Sequence, residues 1–490
     1  MSSSLLWITP LVPAAIGLCM LLVRSRRLLS ALDVGSSLTV LGLALTIAYR
    51  VTASGPVSAL GVLRADDLTL LFLLLISLLA VVTSVATVGW IRQELARGEM
   101  REESLRYYYA LVQGFIATML VTVLADNLGI LWVAMEGTTI TSAVLVGFHG
   151  HKQGLEAAWK YIIVTTIGIS FGLFGTVLVY GAATHVQGGG QAGSMNWSSI
   201  IALSHHLDPS IVRIGFIFVV VGYGAKAGLA PVHMWLPDAH SQAPSPVSAL
   251  LSGALIKCAL FGILRFHTIT CNACGPEFSQ RLLLIFGLIS VVVATPFILV
   301  QHDLKRLLGY HSVEHVGIIA LGLGFGGRLG IYGALLHVIN HGVTKALAFL
   351  IAGDAISRYG SRDIRNMRGY LGIAPWCGTL LLMAAFSLAG APPFSIFISE
   401  LITIRAGIGA GHYGAVSVFL VMMVVIFAGL IHHVGQIVFG VAEQTADRGR
   451  EARWPLVGMI VLASVMLLLG IHMPASLDHA LMRATEVVLG

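Results

Sequence analysis

Charged residues are scarce in this chain. Asp, Glu, Lys and Arg together make up 11% of its 490 residues, whereas soluble globular domains contain about a quarter. Hydrophobic residues make up 57%, and the mean hydropathy is +0.88. This composition excludes an ordinary water-soluble enzyme and predicts a polytopic membrane protein.

Cofactor motifs are missing as well. The sequence has no iron–sulfur ligand set, dinucleotide-binding fingerprint or phosphate loop. Cys271 and Cys274 form a C-x-x-C in the predicted outer loop His267–Gln280, but no second ligand pair accompanies them. We therefore expect no cofactor and no metal, and at this loop either an external disulfide or two idle thiols.

Apolar runs recur from one end of the chain to the other. Each holds about 20 residues, enough to cross a hydrocarbon core about 30 Å thick, and the runs do not alternate as in a β-barrel. The predicted fold is therefore all-α, a single membrane domain over residues 1–490 with about fourteen transmembrane helices. The predicted spans are 5–23, 31–49, 68–90, 108–125, 127–148, 158–182, 211–230, 246–266, 282–300, 308–326, 329–352, 372–394 (continuing to 410), 415–440 and 455–473.

Basic residues predict the orientation. They concentrate in alternate loops, which the positive-inside rule assigns to the cytoplasm. With the N-terminus outside, the C-terminus is also outside. The main cytoplasmic groups are Arg24–Arg27, Arg92–Arg106, Arg358–Arg368 and Arg448–Arg453.

Two spans are interrupted by glycine and proline. One covers residues 222–237 and contains Lys226, and the other covers residues 388–400 and contains Glu400. Such breaks mark ion sites at the interface of inverted repeats in transporters. We predict two inverted repeats of roughly five helices each, over residues 108–266 and 282–440. Two ordinary proline kinks are the alternative.

Ionisable side chains follow one face of the span 329–352. His337, His341 and Lys345 stand at i, i+4 and i+8. A polar stripe cannot face lipid, so it predicts a hydrated proton path through the interior. Hydrogen bonding between helices is the alternative.

Other membrane residues extend this set. His311 and His315 share a face near the cytoplasmic end of their span, as a proton entrance or an interfacial cap. Lys257 lies too far from either membrane surface to snorkel. Glu136 is paired here with Lys226, as a coupling pair or a static ion pair. The remaining candidate, Lys160, lies one turn into its span and either joins the path or snorkels to the interface.

Taken together, these motifs resemble the antiporter-like proton-channel family. That family comprises large membrane subunits of respiratory complex I, of cation/proton antiporters and of membrane-bound hydrogenases. The similarity covers roughly residues 65–440. It rests on Met135–Thr139, Lys226–His240, Pro244–Ser248, Lys257, Asp303–Tyr310 and His337–Lys345.

The resemblance implies roles for these residues. Glu136 and Lys226 would be the coupling pair, Lys257 the central relay, and the stripe at 337, 341 and 345 would lead to Glu400. Segment Tyr310–Gly317 is similar to the F component of hydrogenase-4-type complexes. We expect no extension after the last span, which excludes the branch that carries a long lateral helix.

The predicted function is therefore that of a proton-translocating subunit in a membrane-bound hydrogenase or a related complex I-like assembly. A subunit of a Na⁺(K⁺)/H⁺ antiporter or of an inorganic-carbon uptake complex is the alternative, and a passive scaffold is a third possibility. Expected partners are other membrane subunits and a hydrophilic hydrogenase or dehydrogenase arm, which would carry any redox chemistry. The expected location is the bacterial inner membrane.

Overall fold

A computed structural model describes residues 2–186, 194–441, 446–447, 449 and 451–490. Parts of the predicted outer loop Ala183–Asp208 and of the predicted cytoplasmic loop Ala442–Arg453 fall in the gaps. Arg448 and Arg450, which contribute to the predicted orientation, lie outside the described residues.

The N-terminal segment forms long helices and one small hairpin. Helix α3 begins where the Asp66 side chain accepts a hydrogen bond from the Thr69 amide, and it continues beyond its predicted end. The hairpin was not predictable from the sequence, because strands of three residues leave no periodic signal. The elements are α1 (Ser2–Met20), α2 (Arg26–Ser54), β1 (Val57–Ala59), β2 (Leu63–Ala65), α3 (Asp67–Arg97) and α4 (Leu105–Leu124).

The segment of the first predicted repeat contains a broken helix. Its elements are α5 (Leu128–Val146), α6 (Lys152–Val186), α7 (Trp197–Leu203), α8 (Pro209–Ala227), α9 (Trp235–Gln242), α10 (Ser245–Leu250) and α11 (Ile256–Cys274). Helix α8 stops because Gly228 adopts the left-handed conformation, with φ +86°. A π-helical turn, Leu251–Leu255, joins α10 to α11 in one span.

The C-terminal segment contains the second break, between α16 and α17. Its elements are α12 (Pro276–Val300), α13 (Leu304–Phe325), α14 (Gly327–Tyr359), α15 (Tyr370–Ile373), α16 (Pro375–Leu388), α17 (Ser395–Gly409), α18 (Tyr413–Val438), α19 (Arg453–Ile471) and α20 (Ala475–Leu489). Gly390, with φ +68°, turns the chain between the two half-helices.

The predicted all-α membrane fold is confirmed. In the described part of the chain, 12 helices are long and apolar enough to cross a membrane. The two other predicted spans correspond to α13, which carries polar side chains, and to the half-helices α16 and α17. Helix α14 and the α10–α11 span lie at the centre of the bundle. In an apolar stretch of 18 residues within each of them, 94% and 100% of the residues are buried.

Two local expectations were wrong. Cys271 and Cys274 lie in the last turn of α11 rather than in a loop; of the two alternatives for them, free thiols are the one observed. A short helix, α20, follows the last span; it is too amphipathic to look like a span, and Tyr332 donates a 2.7 Å hydrogen bond to its Asp478.

Helices α6 and α8 approach closely because glycines face each other. A Cβ atom added at Gly222 would lie 2.6 Å from Gly172 Cα and 2.8 Å from Gly168 O. Small residues of this kind allow close packing of membrane helices, which gains van der Waals contact without a hydrophobic driving force. This contact places the end of α8, and therefore Lys226, against α6.

We expect Gly222→Ala to destabilise the protein by about 1–3 kcal/mol, because the added methyl group meets backbone atoms that cannot move aside. The thermal unfolding midpoint in detergent measures the effect. Gly181→Ala on α6 is the matched control, since among the described residues no atom beyond its own helical turn lies within 4 Å of its added Cβ. Equal midpoints for the two variants would contradict close packing at Gly222.

Candidate functional site

Lys226 lies fully buried at the break between α8 and α9. Its Nζ donates hydrogen bonds to Thr139 Oγ1 at 2.6 Å and to Tyr161 Oη at 2.9 Å. The ammonium group also lies 4.8 Å from the centre of the Tyr161 ring, a cation–π distance. Hydroxyl groups and an aromatic face therefore compensate this lysine for the loss of water.

Glu136 reaches the same lysine only through a hydroxyl group. Thr139 donates to Glu136 Oε2 at 3.2 Å and accepts from Lys226, while Thr166 donates to the other carboxylate oxygen at 2.8 Å. No direct ion pair joins Glu136 to Lys226 within the described residues. Because a hydroxyl both donates and accepts, Thr139 couples the two charges without holding them in contact.

Lys257 is the second residue of α11, directly after the π-helical turn, and is fully buried. Its Nζ donates to the Ser252 carbonyl at 3.0 Å and forms a hydrogen bond with His341 Nδ1. A π turn shifts the hydrogen-bond register by one residue, and here a backbone carbonyl of that turn receives the side chain.

Three histidines from α13 and α14 continue from Lys257. The ring centres of His341 and His315 are 4.7 Å apart, and His315 Nδ1 lies 3.0 Å from His337 Nε2. His337 Nδ1 then lies 3.0 Å from the hydroxyl oxygen of Ser399 on α17. All three histidines are fully buried, so the predicted stripe faces the protein interior.

Glu400 is the last member of this group and lies on α17, at the second broken helix. It is buried, and its Oε2 atom has no hydrogen-bond partner among the described residues. Glu400, His315 and His337 each bring one nitrogen or oxygen within 4.8 Å of the others. The structure therefore brings the predicted terminal acid to the histidines, although more than sixty residues separate it from His337 in sequence.

Lys345 and His311 lie beside this line of groups rather than in it. Lys345 Nζ donates to the Leu308 carbonyl at 2.7 Å, and His311 Nδ1 lies 2.8 Å from Glu314 Oε2. Both are fully buried. This burial favours a role in the interior over the interfacial cap considered for His311 and His315.

Lys160 is at the protein surface. Half of its side chain is exposed, and it pairs with Glu156 at 2.7 Å and with Asp238 at 3.4 Å. Of the two alternatives for this residue, the structure favours the interface. No hydrogen bond among the described residues joins the Lys226 group directly to Lys257, although Cys258 lies close enough to both lysines for electrostatic interaction.

Residues of uncharged type in this site give no signal in the sequence. Tyr161 and Ser399 contact the predicted groups directly, but a tyrosine or serine in an apolar span gives no signal of its own. His240 was included in a motif but was not selected as a site residue, and the structure buries it completely.

Among the described residues, two groups have donor atoms that could bind a metal ion. They are His311, Glu314 and His315, and then His315, His337 and Glu400. Several of these nitrogens already form hydrogen bonds with each other, and Lys257 and Lys345 lie near enough to act on His315 electrostatically. Two lysines beside a divalent cation would repel it when charged, so the arrangement suits proton exchange better.

One protein family and several individual proteins are similar to this chain. The profile of the transmembrane family "NADH:quinone oxidoreductase/Mrp antiporter, TM" matches residues 125–431. A hydrogenase-4 component F homolog of Methylacidiphilum infernorum is 33% identical over 411 residues, which cover 84% of this chain and 85% of that protein.

A more distant relative and a solved structure are also similar to this chain. A Na⁺/H⁺ antiporter subunit of Alkalihalophilus pseudofirmus is 28% identical over 369 residues, covering 73% of this chain and 72% of that protein. A chain of the archaeal membrane-bound sulfane sulfur reductase superposes with a TM-score of 0.87 at 23% identity, covering 99% of this chain and 97% of the other.

Proposed function

The chain belongs to the NADH:quinone oxidoreductase/Mrp antiporter transmembrane family, and from this premise we propose that it conducts protons for a membrane-bound hydrogenase or a related respiratory complex. The observation that carries the proposal is the buried series of titratable groups from Lys257 through three histidines to Glu400. A merely structural helix bundle has no need of such a series, because buried ionisable groups are costly in a membrane.

The geometry supports stepwise proton transfer. A protonated Lys257 faces His341 Nδ1 and can release a proton to it. An imidazole that accepts a proton at one ring nitrogen can release one from the other. His315 and His337, 3.0 Å apart, provide the next such step towards Glu400.

The Lys226 group would control this transfer. A positive charge on Lys226 raises the energy of a second positive charge on Lys257, since like charges repel strongly where water is scarce. Attraction from Glu136, transmitted across Thr139, would hold the Lys226 charge away from Lys257. Movement of the Lys226 charge towards Lys257 would then release the proton that Lys257 holds.

Orientation and partners belong to the same proposal. We place both termini outside. The predicted cytoplasmic loops at residues 90–99, 149–151 and 353–362 line one common cavity and therefore share one side of the bundle, which the positive-inside rule assigns to the cytoplasm. The two broken helices, one in each half, support inverted repeats over residues 108–266 and 282–440. The proposed location is the bacterial inner membrane. The hydrogenase-4 relative supports other membrane subunits and a hydrophilic hydrogenase or dehydrogenase arm as partners.

A sodium/proton antiporter subunit is the second candidate, favoured by the similarity to the antiporter protein of Alkalihalophilus pseudofirmus. Inverted vesicles from cells that express the chain with its native partner subunits separate the two functions. We expect the initial proton uptake, followed with a fluorescent pH probe, to be the same in choline, potassium and sodium buffers. Uptake that requires sodium or potassium would favour the antiporter and contradict the proposal.

A further inference from the structure

Five buried polar side chains meet between α2, α3 and α4. All of them precede residues 125–431, which the family profile matches, and none belongs to the conduction series from Lys257 to Glu400. We call this group the N-terminal polar cluster. Its members are Asp33, Ser36 and Ser37 on α2, Ser84 on α3 and Gln113 on α4.

Hydrogen bonds within the cluster tie α2 to both neighbouring helices. Gln113 Nε2 donates to Asp33 Oδ1 at 2.7 Å, and Ser36 donates to Gln113 Oε1 at 2.8 Å. Because the amide oxygen already accepts from Ser36, the amide nitrogen is the end that faces the aspartate. The hydroxyl oxygens of Ser37 and Ser84 lie 2.8 Å apart and connect α2 to α3.

Asp33 is the only acid of the cluster, and its side chain is fully buried. Its second oxygen, Oδ2, has no hydrogen-bond partner among the described residues. The groups that interact with its side chain, Gln113 and Ser84, are both neutral. An ionised carboxylate at this place would therefore be buried without a compensating cation, which is strongly unfavourable.

The titratable groups that face Asp33 from neighbouring helices provide no positive charge. Tyr108 and Tyr109 on α4 lie near enough to interact with it, and Glu94 on α3 acts on Tyr108. Helix α1 carries one titratable side chain, Cys19, which is exposed.

The nearest basic residue on α2 itself is Arg26, at the start of the helix. It stands seven residues from Asp33, about 10 Å along the helix axis, and acts on Tyr109. A neutral carboxylic acid satisfies the observed contacts better than a carboxylate does. Its carbonyl oxygen is then Oδ1, which accepts from Gln113, and its proton lies on the unpartnered Oδ2.

We propose that Asp33 is a proton-binding site, separate from the conduction series, which is occupied while α2 packs on α3 and α4. Loss of this proton would place an uncompensated charge between the three helices. The contact between them is therefore expected to be stable while Asp33 is neutral and to weaken as the pH rises and Asp33 ionises.

Infrared spectroscopy of the purified complex tests the protonation directly, because the carbonyl band of a carboxylic acid is distinct from the bands of a carboxylate. Asp33→Asn keeps the shape and an oxygen that accepts from Gln113, but it cannot ionise. Asp126→Asn is the matched control, since Asp126 is a second buried aspartate and both of its oxygens accept hydrogen bonds from Ser198. Gln113→Leu removes the donor to Asp33 Oδ1 and leaves the acid in place.

At neutral pH we expect Asp33→Asn to lose one carboxylic acid band that Asp126→Asn retains. In Gln113→Leu the same band should move to higher frequency, because its carbonyl oxygen has lost a hydrogen bond. Loss of carboxylate bands in Asp33→Asn, or an unshifted acid band in Gln113→Leu, would overturn the inference.

The thermal unfolding midpoint in detergent tests the expected pH dependence. We expect Asp33→Asn and the unmodified protein to unfold at the same temperature at neutral pH, and the unmodified protein to unfold at the lower temperature at alkaline pH. Identical midpoints throughout this range would contradict a site that ionises. Proton uptake in vesicles should stay within twofold in Asp33→Asn at neutral pH, and a tenfold loss would instead make Asp33 part of the conduction series.

Discussion

Replacement of Lys257 by methionine is expected to abolish proton translocation and to leave the complex assembled. Methionine preserves most of the length and the apolar stem of lysine, so the surrounding helices still pack. The variant loses the group that exchanges a proton with His341, the one titratable side chain among the described residues that hydrogen-bonds to Nζ. We expect a decrease of at least about tenfold in rate, equivalent to about 1.4 kcal/mol in barrier height.

Lys160→Met is the matched control for this experiment. Lys160 is half exposed and forms surface ion pairs with Glu156 and Asp238, which contribute little to stability. We expect its uptake rate to remain within about twofold of that of the unmodified protein. Uptake is measured in vesicles matched for the amount of assembled complex. Conduction at the normal rate in Lys257→Met would remove Lys257 from the pathway.

Substitution of Asp66 by alanine is expected to cause the largest loss of stability. Asp66 accepts two hydrogen bonds from Arg265, at 2.8 and 2.9 Å, and both side chains are almost completely buried. Arg265 also lies 4.3 Å from the centre of the Trp197 ring. Removing the carboxylate leaves a buried charge without its partner, at a cost of about 3–5 kcal/mol.

The midpoint of thermal unfolding in detergent measures this loss. Glu486→Ala provides the comparison, because Glu486 pairs with Arg328 at an exposed site and such pairs contribute about 0–1 kcal/mol. The double variant Asp66→Ala with Arg265→Met should recover part of the stability, since it removes the unpaired charge as well. An Asp66→Ala midpoint equal to that of Glu486→Ala would show that the buried ion pair does not hold α3 to α11.

Helix positions were predictable because the membrane imposes a simple rule. A helix must present about 20 mostly apolar residues to cross the bilayer, and this run length is visible without any knowledge of neighbours. The same rule failed at α20, where an amphipathic helix packs on α3, α11 and α14 and therefore needs no continuous apolar run. It also failed at Cys271, because a helix that continues past its apolar segment looks like the start of a loop.

The chemical types of the candidate site were equally visible in the sequence. A lysine or glutamate within an apolar run is conspicuous because of the cost of burying its charge, and this signal identified Lys226, Lys257 and Glu400. Helical periodicity then indicated that His337 and His341 share a face, and the structure brings both to the same cluster.

The sequence by itself therefore determined that this chain crosses a membrane many times and carries ionisable groups inside it. Only the tertiary structure decided which atoms meet: Thr139 stands between Glu136 and Lys226, and Lys345 turns to a backbone carbonyl of α13. The reason is physical. Periodicity fixes the face of a helix on which a residue lies, but the contact partner depends on side-chain rotamers and on helices that are distant in sequence.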